Sequence, residues 1–262
     1  MKRKKFKTSA LYLVFAIIFI AILAFAGYQA LVIYLPQSNE SKNFVSLKEE
    51  SGLKDIKADD IISGLESSEI PDKSPLSKLA MKNNDFVGWL SIEDTIIDYP
   101  VMKSSESDPE FYLHRDFSKN YSYSGTLFIG EGCNCDSDVF VIYGHNMNSG
   151  SMFGSLDSYK SGSFALGHKD IVFRTQEENR VYRVFAAFQA KLIPEGEDGF
   201  AYYRCVGKLD RGEYNEVLNN IRKMSLISLN DVPKYPEQIM LLSTCYYHTD
   251  DGRFVVAAYR VA

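Results

Sequence analysis

From Leu11 to Leu35 the chain runs for 25 residues without one charged side chain. About 20 apolar residues in a helix cross a bilayer, so this run is long enough to span one. Lys2, Arg3, Lys4, Lys5 and Lys7 precede it, and a basic cluster of that kind stays on the cytoplasmic side. Residues 1–7 therefore read as a cytoplasmic tail and 8–36 as a transmembrane signal anchor, with everything after it extracytoplasmic. A cleaved secretory signal is the rival reading, because Ala24-Phe25-Ala26 resembles a small-residue cleavage site. Leu31-Val32-Ile33-Tyr34-Leu35 carry the apolar run past that point and favour the anchor. Either reading exports the body.

Charge narrows the function classes. The whole chain carries −5, but without the five N-terminal bases 24 basic residues face 34 acidic ones, which excludes a basic nucleic-acid-binding body. Four cysteines are too few to staple a domain of this size, so a special cysteine is chemical before it is architectural. Residues 37–75 read as an extracytoplasmic stalk. Phe44, Leu47, Leu53, Ile56 and Ile61 are spread too thinly there for a core, though a partly helical spacer fits. The folded body then occupies 76–262.

That body reads as mainly β. Pro75 to Met81 fits a short helix, and Phe86–Ile92 followed by Thr95–Tyr99 fits a hairpin. Further strands fall at Gly125–Ile129, Val139–Tyr143, Asp170–Arg174, Arg180–Lys191, Ile239–Tyr246 and Arg253–Val261, all rich in β-branched and aromatic residues. Between Lys208 and Leu226, Tyr214, Val217, Leu218, Ile221 and Met224 recur at three- and four-residue steps and mark an amphipathic helix. So many strands with few helices suggest a closed or nearly closed barrel, since closure removes exposed edges.

Cys245 ends the apolar strand Ile239-Met240-Leu241-Leu242-Ser243-Thr244-Cys245. An antiparallel hairpin centred on Thr249 sets it opposite Arg253, where cross-strand Cβ atoms lie about 5 Å apart. A guanidinium there lowers a thiol's pKa or steadies an oxyanion. The rival is a buried strand cysteine and an unrelated surface arginine. A thiol nucleophile needs a base. His248 is near in sequence, but its odd offset puts it on the other strand face. His145 follows Val139–Tyr143 and Gly144, where a strand exits into a polar loop, a position both held and open to solvent. The alternative is a loop histidine bonded to a local carbonyl. His114 and His168 sit in polar, turn-like surroundings and read as surface residues, and Cys205 as a buried strand residue. Cys133-Asn134-Cys135 is too closely spaced for zinc and lacks a second pair, so it reads as a loop thiol pair or as pairing with another cysteine. The chain contains no Gly-rich phosphate loop, no Gly-x-Ser-x-Gly elbow and no His-Glu-x-x-His motif.

Tyr143-Gly144-His145-Asn146-Met147 with Gly150–Leu156, Leu242-Ser243-Thr244-Cys245, Asp85–Trp89 and Tyr112–Phe117 together resemble a class B sortase. Leu241 departs from the family signature, which has threonine there. The resemblance implies a sortase-like closed β-barrel with a short N-terminal helix and an inserted helix before the cysteine strand. It also implies a membrane-anchored transpeptidase of Gram-positive bacteria. Cys245 would attack a threonine carbonyl in the C-terminal sorting signal of a secreted protein and hold it as a thioester. An amine of peptidoglycan or its lipid-linked precursor would then take the acyl group. His145 would handle the protons and Arg253 the oxyanion, while Thr244 and Ser243 would line the substrate groove. No metal or organic cofactor is implied. A membrane-tethered cysteine peptidase is the alternative on the same three residues; it would want an Asn or Asp orienting the histidine, and Asn146 is adjacent in sequence.

Overall fold

The computed structural model describes residues 3–64, 75–229, 231–246 and 249–262, and for 3–10 and 30–42 the backbone alone. In chain order the helices are α1 (Arg3–Ser51), α2 (Ala58–Ile62), α3 (Pro75–Lys82), α4 (Gly162–Gly167) and α5 (Arg211–Met224). The strands are β1 (Phe86–Ile92), β2 (Asp98–Met102), β3 (Leu127–Ile129), β4 (Val139–Tyr143), β5 (Asp170–Arg174), β6 (Asn179–Lys191), β7 (Ile239–Cys245) and β8 (Gly252–Arg260). The chain divides into two units, 1–43 and 44–262. In the first, Leu11–Gln29 is long and apolar enough to cross a membrane, and none of it is buried by protein.

The second unit is a closed eight-stranded barrel in the order β1-β2-β3-β4-β7-β8-β6-β5, as the strand-rich pattern implied. β2–β3 and β4–β7 pair in parallel and the other neighbours are antiparallel. Thirteen-residue β6 closes it, pairing with β5 over Asn179–Arg183 and with β8 over Tyr182–Lys191, the latter with a register shift at Val184/Ala186. Trp89, Phe140, Phe173, Tyr182, Phe188 and Phe254 fill the core with almost no exposure, and aromatic side chains of this bulk dominate burial energetics. α5 starts on a reciprocal cap, with Asp210 accepting from the Glu213 backbone and Glu213 bonding back to the Asp210 backbone. Tyr214, Val217, Leu218 and Ile221 are its buried stripe.

Three expectations change. Residues 44–62 are not a free spacer. Phe44 packs edge-on against Tyr99 at 5.6 Å, Lys48 pairs with Asp98 at 2.6 Å, and Ala58 and Ile61 close over Val172 and Val181. Each large apolar side chain so buried contributes about 1.5–3 kcal/mol, so a few well-placed residues suffice where a continuous stripe was sought. The second hairpin strand is Asp98–Met102 rather than Thr95–Tyr99, because Pro100 sits opposite Trp89 without ending the strand. Cys205 lies at the end of a 3₁₀ turn, Tyr202–Arg204, not in a strand.

Candidate active site

β4 and β7 run side by side in the same direction, so their C-terminal ends share one rim of the barrel. The last paired residues are Tyr143 and Ser243. Beyond them three hydrogen bonds keep the chains together. The Gly144 N–H donates to Ser243 O at 3.2 Å, the Thr244 hydroxyl to Gly144 O at 2.7 Å, and the Asn146 side-chain amide to Cys245 O at 2.7 Å. His145 is held between those two side-chain clamps, level with the end of the cysteine strand. Gly144 makes that path passable, since a Cβ there would come within 2.5 Å of the Leu127 side chain and 2.7 Å of the Phe153 ring.

The antiparallel pairing of β7 with β8 sets Cys245 directly opposite Arg253, the register expected from the hairpin arithmetic. Both are partly exposed at the strand ends, as is His145. Arg253 is flanked on its other side by Ala190 of β6 and anchors one Nη on Gly252 O at 3.0 Å. A thiol, an imidazole and a guanidinium are thus carried by three strand ends on one rim.

The imidazole is oriented from outside the barrel. His145 Nε2 lies 2.9 Å from Leu113 O. A carbonyl only accepts, so Nε2 carries a proton in this contact. Leu113 belongs to the 3₁₀ turn Phe111–His114, and the next residue puts its own ring against His145, with centroids 5.2 Å apart. Neither contact could be read from the sequence. Leu113 acts through its backbone, and only the Tyr112–Phe117 motif hinted that this segment mattered. His114 is exposed, as expected, but it is not remote from the site. His168 instead bonds its own helix at Phe164 O, and His248 lies outside the described residues.

The expected groove residues sit differently. Ser243 is fully buried and its hydroxyl bonds the Tyr202 phenol at 2.7 Å. Thr244 is 2 % exposed, with its hydroxyl turned to Gly144 O. Both hydroxyls therefore brace the strand ends rather than face a groove, because the parallel β4–β7 contact takes up one and the packed Tyr202 the other. Burial pushes the Tyr202 phenol up to about 12 against the pull of Ser243 and Arg253, so it stays protonated in that bond. Asn146, the one candidate to orient the ring in triad fashion, has its amide nitrogen on the Cys245 carbonyl.

The other thiols are poorly placed for chemistry. Burial raises Cys133 and Cys205, and burial beside Asp136 pushes Cys135 up to about 11 despite Arg180. All four cysteines are unpaired. Among the described residues no three His, Cys, Asp or Glu side chains stand together as metal ligands.

Residues 90–261 match the sortase domain family. Sortase B of Listeria monocytogenes is 29% identical over 195 residues, spanning 72% of this chain and 74% of the relative. Sortase B of Staphylococcus aureus is 26% identical over 263 residues, 98% of each chain. Among solved structures, a Staphylococcus aureus sortase B–substrate complex superposes with TM-score 0.70 at 23% identity, covering 87% of this chain and 98% of that one, a likeness of fold. Sortase B of Clostridium perfringens gives 0.61 at 27% identity, over 71% and 99%. The chain belongs to the sortase family, cysteine transpeptidases, and within it to class B.

Proposed function

We propose that the protein cleaves a C-terminal sorting signal after threonine and transfers the secreted protein to a cell-wall amine, supplied by peptidoglycan or its lipid-linked precursor. His145 Nδ1 takes the Cys245 thiol proton as Sγ bonds the threonine carbonyl carbon, and passes it to the leaving amine as the peptide C–N bond breaks. The incoming amine then attacks the thioester, the C–S bond breaks, and His145 carries the amine's surplus proton to the departing Cys245 Sγ. Arg253 carries the oxyanion charge in both steps. The Cys245–Arg253 register beside the clamped His145 is the observation that supports this most. The N-terminal run 8–36 anchors the enzyme with 1–7 inside, and 76–262 works on the outer face of a Gram-positive membrane. The linking segment 37–75 lies between them, with 44–62 packed onto the barrel.

The test uses the full-length protein in detergent, a library of sorting-type pentapeptides, and an oligoglycine or diamino-acid amine. Mass spectrometry is expected to find an acyl-enzyme and a peptide–amine ligation product. Release that proceeds at the same rate with or without amine, yielding only the carboxylate, would instead make the protein a peptidase.

Arg253→Lys separates charge from shape. An ammonium keeps the charge but not the planar fork that bonds Gly252 O and reaches the reacting carbonyl together. Losing an oxyanion donor costs about 10²–10³ in kcat, and a fall of that size is expected in acyl-enzyme formation. Activity within about threefold of the parent, a change too small for a lost oxyanion donor, would remove Arg253 from this role.

A further inference from the structure

We infer that His114 is a positioning residue for His145, its ring supporting the imidazole when neutral and opposing its protonation when charged. This rests on the proton-handling role given to His145 above. Three contacts carry it. The His114 ring lies 5.2 Å from the His145 ring at an interplanar angle of 36°. It also stacks with Tyr121, 6.3 Å away and 19° from parallel. Its backbone is fixed by the Ser122 N–H donating to His114 O at 3.1 Å, beside the Arg115–Tyr121 bridge. The same short turn therefore supplies the Leu113 carbonyl that sets the His145 tautomer and the ring that covers its face. A class of cysteine peptidases puts an Asn or Asp side chain in that orienting place; here the Asn146 amide is engaged elsewhere.

Two imidazoles so close cannot titrate independently. In water two unit charges 5.2 Å apart oppose each other by about 0.6 of a pKa unit. With the cost shared equally between two imidazoles, removing the His114 charge is expected to raise the His145 midpoint by about half of that amount. Among the described residues, the titratable or charged groups on the segment carrying His114 include Glu110, Arg115, Asp116 and Tyr121. Tyr143 comes from β4, Cys245 from β7 and Arg253 from β8. All of these stay unchanged when His114 alone is replaced. Phenylalanine keeps an aromatic ring beside Tyr121 and His145 and removes the charge.

The experiment follows the four histidines of the full-length protein, ¹³C-labelled at the imidazole, by NMR from pH 4.5 to 9 in detergent. It is done in the Cys245→Ala background so that no thiol titrates beside His145. His114→Phe is expected to raise the His145 midpoint by about 0.3 pH units and to sharpen its titration; His168→Phe, as control, should leave it in place. His114→Gln, a smaller and uncharged variant, should raise it too. A His145 midpoint that stays put in both His114 variants overturns the inference. No substrate is involved, so a missing peptide ligation would refute the proposed function and leave this measurement standing.

Discussion

Full-length Cys245→Ala protein mixed with sorting-type peptide is expected to accumulate no peptide-loaded enzyme, with turnover down at least about 10⁴-fold. The sulfur cannot be replaced from within the molecule. Cys133 is 6 % exposed and its thiol points at Gly130 O, 3.6 Å away. Cys135 is pushed up to about 11 by burial and Asp136, and burial raises Cys205 as well. All three are mostly thiol at neutral pH, and the thiol form is the poor nucleophile. The fold should not notice the change. Cys245 is partly exposed at a strand end, and its place is kept by backbone pairing to Arg253 and by the Asn146 amide on its carbonyl. Alanine supplies both, so a loss of under about 1 kcal/mol, or a few degrees in Tm, is expected. Intact mass after peptide trapping and a thermal melt check the two halves separately. Peptide mass on the variant at undiminished yield would move the nucleophile to another residue.

The parts of this site that were legible in the sequence depend on local spacing. The Cys245–Arg253 pairing follows from one hairpin, where counting residues about Thr249 fixes which side chains face each other. Val139–Tyr143 and Asp170–Arg174 are legible for the same reason, as short β-branched runs with defined ends. Hidden were the features made by chains far apart in sequence. The Thr244 hydroxyl and Asn146 amide reach across 100 and 99 residues because β4 and β7 pair in parallel, and parallel pairing leaves no local turn to read. Ser243 was expected at a groove but belongs to Tyr202, 41 residues upstream. Phe44 is buried by Tyr99, so a segment whose own pattern is too sparse for a core nonetheless completes one. The carbonyl of Leu113 has no signature at all, since every residue carries one.

That carbonyl bears on the second large effect, the His145→Ala protein. General acid–base help is worth about 10²–10⁴-fold, and a fall near the upper end is expected for an amide substrate, because an amine leaves poorly unless it is protonated as the C–N bond breaks. With Nε2–H committed to Leu113 O, the proposed step moves its proton through Nδ1. A structural defect and a missing acid predict different behaviour with substrate. If alanine merely disturbs the rim, every acyl donor should suffer alike. Thr244 and Asn146 would still clamp residues 144–146 to the cysteine strand, so the rim is expected to survive. A thioester or activated ester leaves without a proton, and acylation by such a donor should therefore lose less than about tenfold while the matched amide loses about 10³–10⁴. Single-turnover acylation of Cys245 by both donors gives the comparison directly. Equal losses for ester and amide would take the general-acid role from His145 and leave it as a strut between the Phe111–His114 turn and the end of β4.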